Sequence, residues 1–135
     1  MIKKILKFIL FGFLLWGVLL IYAYFIGPIK LYDQAFFDAL MSIAVVLFTV
    51  IFVFYIFWRK RVLFFKEGLT AGLIWFVECL IFDMFMFHWG PMKMSFVQYF
   101  TEIGLFYLVI PIIAGATGYI ADKIVHKHTH PENVK

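Results

Sequence analysis

Two carboxylates inside one long apolar segment are the residues of this sequence with the clearest capacity for chemistry. Glu78 and Asp83 are the only acidic or basic side chains in the run 68–87. An ionised carboxylate is costly in hydrocarbon, so acids in such a segment face the bundle interior or a wet cavity, or hold a proton. At about 1.5 Å per residue, Glu78 falls near the middle of the run and Asp83 about 7.5 Å further along. The pair therefore predicts a site that handles a proton or a cation.

The two acids point in different directions if their segment is helical. Five residues at about 100° each separate the two side chains by about 140°, so they either line successive points of a path or meet different neighbours. A structural alternative exists for each acid, namely an interhelical hydrogen bond for Glu78 and a place at the outer interface for Asp83. The polar partners considered are Ser42, Thr49 and Thr117 for Glu78, and His88 and Lys93 for Asp83. The face shared with Asp83 holds Gly72, Trp75, Cys79 and Met86.

Four apolar runs, at about 8–27, 39–58, 68–87 and 103–121, supply the elements that must position these acids. Each is long enough to cross a hydrocarbon core of about 30 Å as a helix, and their continuous apolar character argues against alternating barrel strands. A hydrophobic content of 65% and a mean hydropathy of +0.99 exclude an ordinary soluble fold. We predict one all-α transmembrane four-helix bundle over residues 1–125, a polar tail at 126–135, and the lipid bilayer as the main partner.

The distribution of Lys and Arg predicts the orientation of this bundle. Both termini and the second loop carry ten basic residues, whereas the other side carries only Lys30 and Lys93. Because cytoplasmic segments are enriched in Lys and Arg, both termini are expected to be cytoplasmic, in a cell membrane. The basic N-terminus is similar to the start of a signal sequence. The apolar run after it is longer than a signal peptide requires and lacks a convincing cleavage site, so it is predicted to remain as the first helix.

Two further acids are predicted to lie at the outer side, where the second and fourth helices begin. Asp38 and Glu102 would complement the positive end of a helix dipole if they belong to the first turn. Alternatively, they would form with Asp83 an acidic outer vestibule that gathers cations, with His88 as a further vestibule residue. The segment Ser95-Phe-Val-Gln98 resembles a capping box at the start of the fourth helix.

The fourth run combines a proline with small residues. Pro111 frees the carbonyl of Tyr107, which is four residues earlier, and this could kink the helix and offer an oxygen to a cation. Small residues allow helices to approach closely, within the bundle or between protomers of a homo-oligomer. The residues expected to serve this packing are Gly104, Ala114, Gly115 and Gly118.

A weak internal repeat relates the two halves of the chain. Gly27-Pro28 is followed by the motif Gln34-x-Phe-x-Asp38, and Gly90-Pro91 is followed by Gln98-x-Phe-x-Glu102. Duplication would produce two parallel two-helix repeats. The alternative is that two similar outer hairpins simply need similar turns.

Other classes of function lack the residues that they require. One cysteine, Cys79, excludes an internal disulfide. His126, His128 and His130 alternate in the tail and are interpreted as solvated residues, with divalent-metal binding as the alternative. Histidine pairs for a haem, hydrolase motifs and basic-aromatic nucleic-acid modules are missing from the sequence. We therefore expect no cofactor, no metal, no catalytic residues and no nucleic-acid partner.

The third and fourth runs resemble a group of uncharacterised small four-helix membrane proteins of bacteria and archaea. The similar segments are Glu67-Gly-Leu-Thr-Ala-Gly-Leu-Ile-Trp75, Asp83, Met94-Ser-Phe-Val-Gln-Tyr-Phe-Thr-Glu-Ile-Gly104 and Tyr107-Leu-Val-Ile-Pro111. The resemblance implies a prokaryotic cell membrane and this architecture, but no activity. In that group the position of the third helix near the membrane midplane is polar and uncharged, so Glu78 differs from the group. The resemblance therefore favours Asp83 over Glu78 as the residue of a shared function.

Our leading interpretation is a small transport or permeation component in which Glu78 and Asp83 handle a proton or a cation. The alternative is a non-catalytic structural, assembly or regulatory bundle whose acids only make interhelical hydrogen bonds.

Overall fold

A computed structural model of the chain describes residues 2–59, 65–89 and 95–129. Three helices are continuous: α1 (Ile2–Lys30), α2 (Gln34–Arg59) and α3 (Phe65–Trp89). The fourth helix has α-helical segments at Phe96–Tyr99, Leu105–Tyr107 and Val109–Thr129, and a π-helical segment at Phe100–Gly104. These three ranges contain no strand. The predicted all-α four-helix bundle is therefore confirmed.

The surface of the bundle is that of a multi-pass membrane protein. All four helices are long and apolar enough to cross a membrane. In an apolar 18-residue stretch of each helix, only 17% to 39% of the residues are buried inside the protein. Large apolar side chains such as Ile21, Phe54 and Ile112 point outward. Water would solvate such a surface poorly, whereas the hydrocarbon of lipid is as apolar as these side chains.

Contacts along α1 and α3 show that these two helices run in parallel. Lys4 forms a 2.6 Å salt bridge with Glu67 near the start of both helices, and Trp16 contacts Asp83 further along. We call the end where residues 31–33 join α1 to α2 the turn end, and the opposite end the terminal end. The fourth helix begins at the turn end and packs antiparallel to α3.

Several helices extend beyond the apolar runs. Gly27-Pro28 does not end α1, which continues to Lys30, because a proline near a helix end removes only one backbone hydrogen bond. The fourth helix continues to Thr129 instead of ending near residue 121. His126 and His128 consequently belong to this helix, whereas His130 lies outside the described residues.

The expected placement of Asp38 and Glu102 in first helical turns is wrong. α2 begins at Gln34, and the Asp33 carboxylate accepts the backbone N–H of Phe36 at 3.1 Å. Asp38 therefore lies in the second turn. The fourth helix begins at Phe96, so Glu102 lies in the π-helical segment and not at the helix start.

Both helix starts of the repeat motif are capped, but at different positions. Ser95 Oγ accepts the backbone N–H of Gln98 at 3.3 Å, which is one half of the expected capping box. The Gln98 amide donates to Glu102 at 3.2 Å. Ser95 precedes Gln98 by three residues, whereas the cap of α2 directly precedes Gln34. Gly90-Pro91 lies outside the described residues, so the parallel repeat stays a prediction.

Glycine allows α3 and the fourth helix to pack backbone against backbone. A Cβ atom built on Gly68 would lie 2.6 Å from the carbonyl oxygen of Ala114 and 3.3 Å from the Cα of Gly118. A Cβ on Gly72 would lie 2.7 Å from the Cα of Pro111. Two small-x-x-x-small pairs therefore face each other, and they provide the close approach that membrane helices need when water does not drive their association.

Gly104 and Gly115, the other two glycines expected to serve helix packing in the fourth run, are also buried, although in different surroundings. Gly115 faces Leu69 and Phe65 of α3, while Gly104 lies against Phe100 of its own helix. Packing inside the bundle is thus the observed environment of all four small residues.

The centre of the bundle is closed by fully buried side chains. Leu15, Trp75, Cys79 and Ile110 have no exposed surface. The Trp75 indole N–H donates to the backbone carbonyl of Phe8 at 2.9 Å, which fixes α3 against α1 at this level. This layer separates the turn half of the bundle from the terminal half.

Candidate functional site

Asp83 lies inside the bundle and is only 5% exposed. Its Oδ1 accepts a hydrogen bond from the indole N–H of Trp16 at 2.7 Å. Its Oδ2 accepts from the hydroxyl of Tyr107 at 2.7 Å and from the hydroxyl of Tyr99 at 3.1 Å. The carboxylate thereby joins α1, α3 and the fourth helix. We call Trp16, Tyr99 and Tyr107 the donor cage.

The π-helical segment explains why two tyrosines of one helix reach the same oxygen. In a straight α-helix, at about 100° per residue, Tyr99 and Tyr107 would point about 80° apart. In a π-helical segment, hydrogen bonds span five residues, so one extra residue is accommodated in the turn. The eight residues from Tyr99 to Tyr107 then rotate the helix only as far as seven α-helical residues would, and the angle between the two side chains falls to about 20°. The segment Phe100–Gly104 lies between the two tyrosines. It therefore sets the direction of both hydroxyls.

The donor cage supplies hydrogen bonds to Asp83 but no positive charge. Within the described ranges, no basic side chain forms a salt bridge with Asp83, and the ion pair of Lys4 with Glu67 lies at the terminal end. An indole N–H can only donate, so Oδ1 must act as an acceptor. A carboxylate has about four acceptor positions, and the cage occupies three of them. Asp83 therefore has one acceptor position to spare.

A cavity of about 480 Å³ lies beside Asp83, between all four helices. Three residues of α3 line this cavity. Asp83 lies furthest from the turn end, and Met86 and Phe87 lie closer to it. One turn deeper, the fully buried side chains of Leu15, Thr49 and Cys79 close the cavity. Its other lining residues include Trp16, Lys30, Phe37, Asp38, Met41, Glu102, Phe106 and Tyr107.

The structure brings three of the four proposed vestibule residues to this cavity. Asp38 and Glu102 line it with Asp83, and Lys30 lines it as well. His88 does not line it; this residue is exposed and lines a separate apolar groove with Trp89 and Phe96. Asp83 therefore lies inside the bundle, away from both His88 and the membrane interface. Lys93, the other partner considered, lies outside the described residues.

Glu78 occupies a different site, on the side of α3 that faces α1. It is half-buried, and a Cβ atom on Gly12 would overlap its carboxylate. Its Oε2 is buried without a hydrogen-bond partner among the described residues. Of the partners considered, Ser42 and Thr117 instead donate to the backbone carbonyls of Asp38 and Ile113 in their own helices.

Thr49, the third partner considered for Glu78, also leaves its buried hydroxyl without a described partner. Since Glu78 does not line the cavity, the two acids meet different neighbours.

Tyr107 takes part in the site through its hydroxyl, whereas the sequence analysis pointed to its carbonyl. The α-helix is interrupted at Leu108, and Pro111 is buried against Gly72 of α3. Sequence reasoning missed the roles of Trp16 and Tyr99. Tyr99 is buried, with only 3% of its surface exposed. The available signal was that both residues carry a hydrogen-bond donor within or beside an apolar run.

Removing the indole donor tests the geometry of the cage. Trp16→Phe keeps an aromatic ring against Phe82 but leaves Oδ1 of Asp83 without its described donor. We expect the free energy of unfolding to fall by about 1.5–3 kcal/mol, since hydrogen bonds to charged groups contribute this much. The measurement is SDS titration in mixed micelles, with Trp89→Phe (84% exposed) as the control. Equal losses in the two variants would contradict the hydrogen bond.

The site thus offers a buried carboxylate that is reachable through a cavity, and its chemistry is that of binding a positive charge or a proton. The described residues contain no group of three His, Cys, Asp or Glu side chains that could hold a metal ion. Comparisons with protein-family models, curated proteins and solved structures found no match for this chain.

Proposed function

We propose that this protein binds a cation at Asp83 from the outer side of the membrane, as the binding element of a small transport or permeation component, and that it is not an enzyme. One observation carries this proposal. A buried carboxylate, which accepts hydrogen bonds from three neutral donors in the described part of the chain, lies at the deep end of a cavity that all four helices line.

The charge balance of the site supports a cationic ligand. Neutral donors stabilise a carboxylate but leave its formal charge in a medium of low dielectric, where an unpaired charge is costly. A bound cation or proton removes that charge. Asp38 and Glu102 add negative charge along the cavity wall, which raises the local concentration of cations. Lys30 also lines the cavity, but its single positive charge does not balance the three carboxylates when all four groups are ionised.

The direction of access follows from the orientation predicted by the basic residues. If both termini are cytoplasmic, the turn end faces outward and the cavity receives its ligand from that side. The buried layer of Leu15, Cys79 and Ile110 closes the opposite side. A prokaryotic cell membrane, implied by the family resemblance, belongs to the same proposal.

A structural bundle is the second candidate, and one observation favours it. The hydrogen bonds of Asp83 connect three helices, as an acid with a purely structural role would. In that case Asp83 contributes to folding alone, and the cavity has no cationic occupant.

Asp83→Asn separates these two functions. The Asn oxygen can accept from Trp16, and its NH₂ group can donate to a tyrosine hydroxyl, because hydroxyls both donate and accept. The cage can therefore stay hydrogen-bonded while the charge is lost. We expect the variant to fold with at most about 2 kcal/mol lower stability, while its affinity for the cation falls by about 10- to 100-fold.

The measurement is equilibrium dialysis of the detergent-solubilised full chain against K⁺, Mg²⁺ and phenyltrimethylammonium, for wild type, Asp83→Asn and Glu78→Gln. Glu78 lies outside the cavity, so Glu78→Gln is expected to bind like wild type. If wild type saturably binds none of the three probes, the binding function is refuted and the structural role is favoured. Equal binding by wild type and Asp83→Asn would also refute it.

A further inference from the structure

Building on the proposed function, we infer that the cation bound at Asp83 is an organic ammonium ion with an apolar body, and not a metal ion. The size of the cavity is the first argument. Its volume of about 480 Å³ lies within the range of about 300–1,000 Å³ that small organic ligands occupy. A single water molecule corresponds to only about 30 Å³ of liquid, so a single inorganic ion would leave most of the cavity unfilled.

The cavity wall has the chemistry that an apolar cation requires. Aromatic rings of Trp16, Phe37, Phe87 and Phe106 line it, and Met41 adds a flexible thioether. Aromatic faces attract ammonium groups through the quadrupole of the ring, and the attraction is strongest when the site excludes water. Methionine adapts to irregular apolar shapes. Together these side chains would hold the body of the ligand, while Asp83 holds its charge.

Oxygen ligands are too few for a metal ion. Calcium takes six to eight oxygens at about 2.3–2.6 Å, and magnesium needs a near-octahedral set. Three carboxylates line the cavity, but they belong to three different helices, and the donor cage already uses three acceptor positions of Asp83. An ammonium ion needs no such set of oxygens, because one carboxylate in a low-dielectric surrounding balances its single positive charge.

The chain already places one ammonium group on an aromatic face of this cavity. Lys30 Nζ lies 5.7 Å from the centroid of the Phe37 ring, and both residues line the cavity near the turn end. This distance is within the range of a cation–π interaction. The contact shows that the wall accommodates an organic cation beside a ring at its shallow end.

A matched pair of probes tests the ligand class. Phenyltrimethylammonium and tert-butylbenzene have nearly the same shape and differ in charge. With the wild-type protein in detergent, we expect saturable binding of the cation and no competition by the neutral isostere. We expect K⁺ and Mg²⁺ to leave that binding unchanged at equal ionic strength. Asp83→Asn in the same micelles corrects for partition into detergent, and its affinity for the cation should be about 10- to 100-fold lower.

The other outcomes overturn the inference in distinguishable ways. If K⁺ or Mg²⁺ binds in an Asp83-dependent manner and phenyltrimethylammonium does not, the ligand class is wrong while the proposed function stands. If tert-butylbenzene competes as well as the cation does, and Asp83→Asn changes nothing, the cavity is an apolar site and both proposals fail. Binding of none of these probes to wild type would also overturn both.

Discussion

Gly72→Ala is expected to lower the free energy of unfolding by about 3 kcal/mol, the upper end of the usual effect of overpacking a well-packed interior. The added Cβ would lie 2.7 Å from the Cα of Pro111 and 2.8 Å from the Cβ of Ala114. Neither atom can rotate away, since one is backbone and the other is attached directly to backbone. The two helices must therefore separate.

This separation would also reach the candidate site. Pro111 is one turn from Tyr107, whose hydroxyl contacts Asp83 at 2.7 Å. Moving the fourth helix outward lengthens that hydrogen bond, so cation binding should weaken together with stability. SDS titration reports the stability, and dialysis against phenyltrimethylammonium reports the site.

Gly17→Ala is the matched control for this prediction. A Cβ atom on Gly17 has no neighbour within 4 Å, and alanine has the higher helix propensity. We expect stability equal to that of wild type, or higher by up to about 1 kcal/mol. If both alanine variants behave alike, the close approach of α3 to the fourth helix is not what stabilises the bundle.

Hydropathy alone was sufficient to predict the number and type of the helices, but it could not predict their ends. It locates the part of a helix that matches hydrocarbon, whereas the helices themselves continue into polar residues. α1 includes Lys3, Lys4 and Lys7, and the fourth helix begins before Glu102. Backbone hydrogen bonding and local caps determine these ends, and both are independent of the apolar pattern.

The direction of Asp83 followed from helical periodicity, but its partners could not. A spacing of 3.6 residues placed it on the face of Gly72, Trp75 and Cys79, which the structure buries. Trp16 is separated from Asp83 by 67 residues, so that contact depends on how α1 packs against α3. The alignment of Tyr99 with Tyr107 depends on a π-helical segment, and no residue pattern in the sequence predicted it. Tertiary packing therefore determines which of the two acids lines the cavity.

Asp83→Leu is expected to destabilise the protein by about 3 kcal/mol or more, because each donor left unsatisfied in a buried site costs about 1–3 kcal/mol. Leucine fills a similar volume but accepts no hydrogen bond. The indole of Trp16 and the hydroxyls of Tyr99 and Tyr107 then lose their described acceptor. SDS titration of this variant beside Asp83→Asn, which keeps an acceptor, measures the difference.

Removing the donors as well should recover most of the stability lost in Asp83→Leu. When both partners of a buried hydrogen bond become apolar, the change is close to neutral. We therefore expect Trp16→Phe, Tyr99→Phe and Tyr107→Phe to stabilise the Asp83→Leu variant. In wild type, by contrast, Trp16→Phe is expected to lower stability. This reversal of sign is a coupling that a double-mutant cycle measures. If the combined variant is as unstable as Asp83→Leu alone, the donor cage is not what holds the carboxylate. If stability returns while cation binding does not, the apolar alternative folds equally well, and the carboxylate at this position serves the ligand and not the fold.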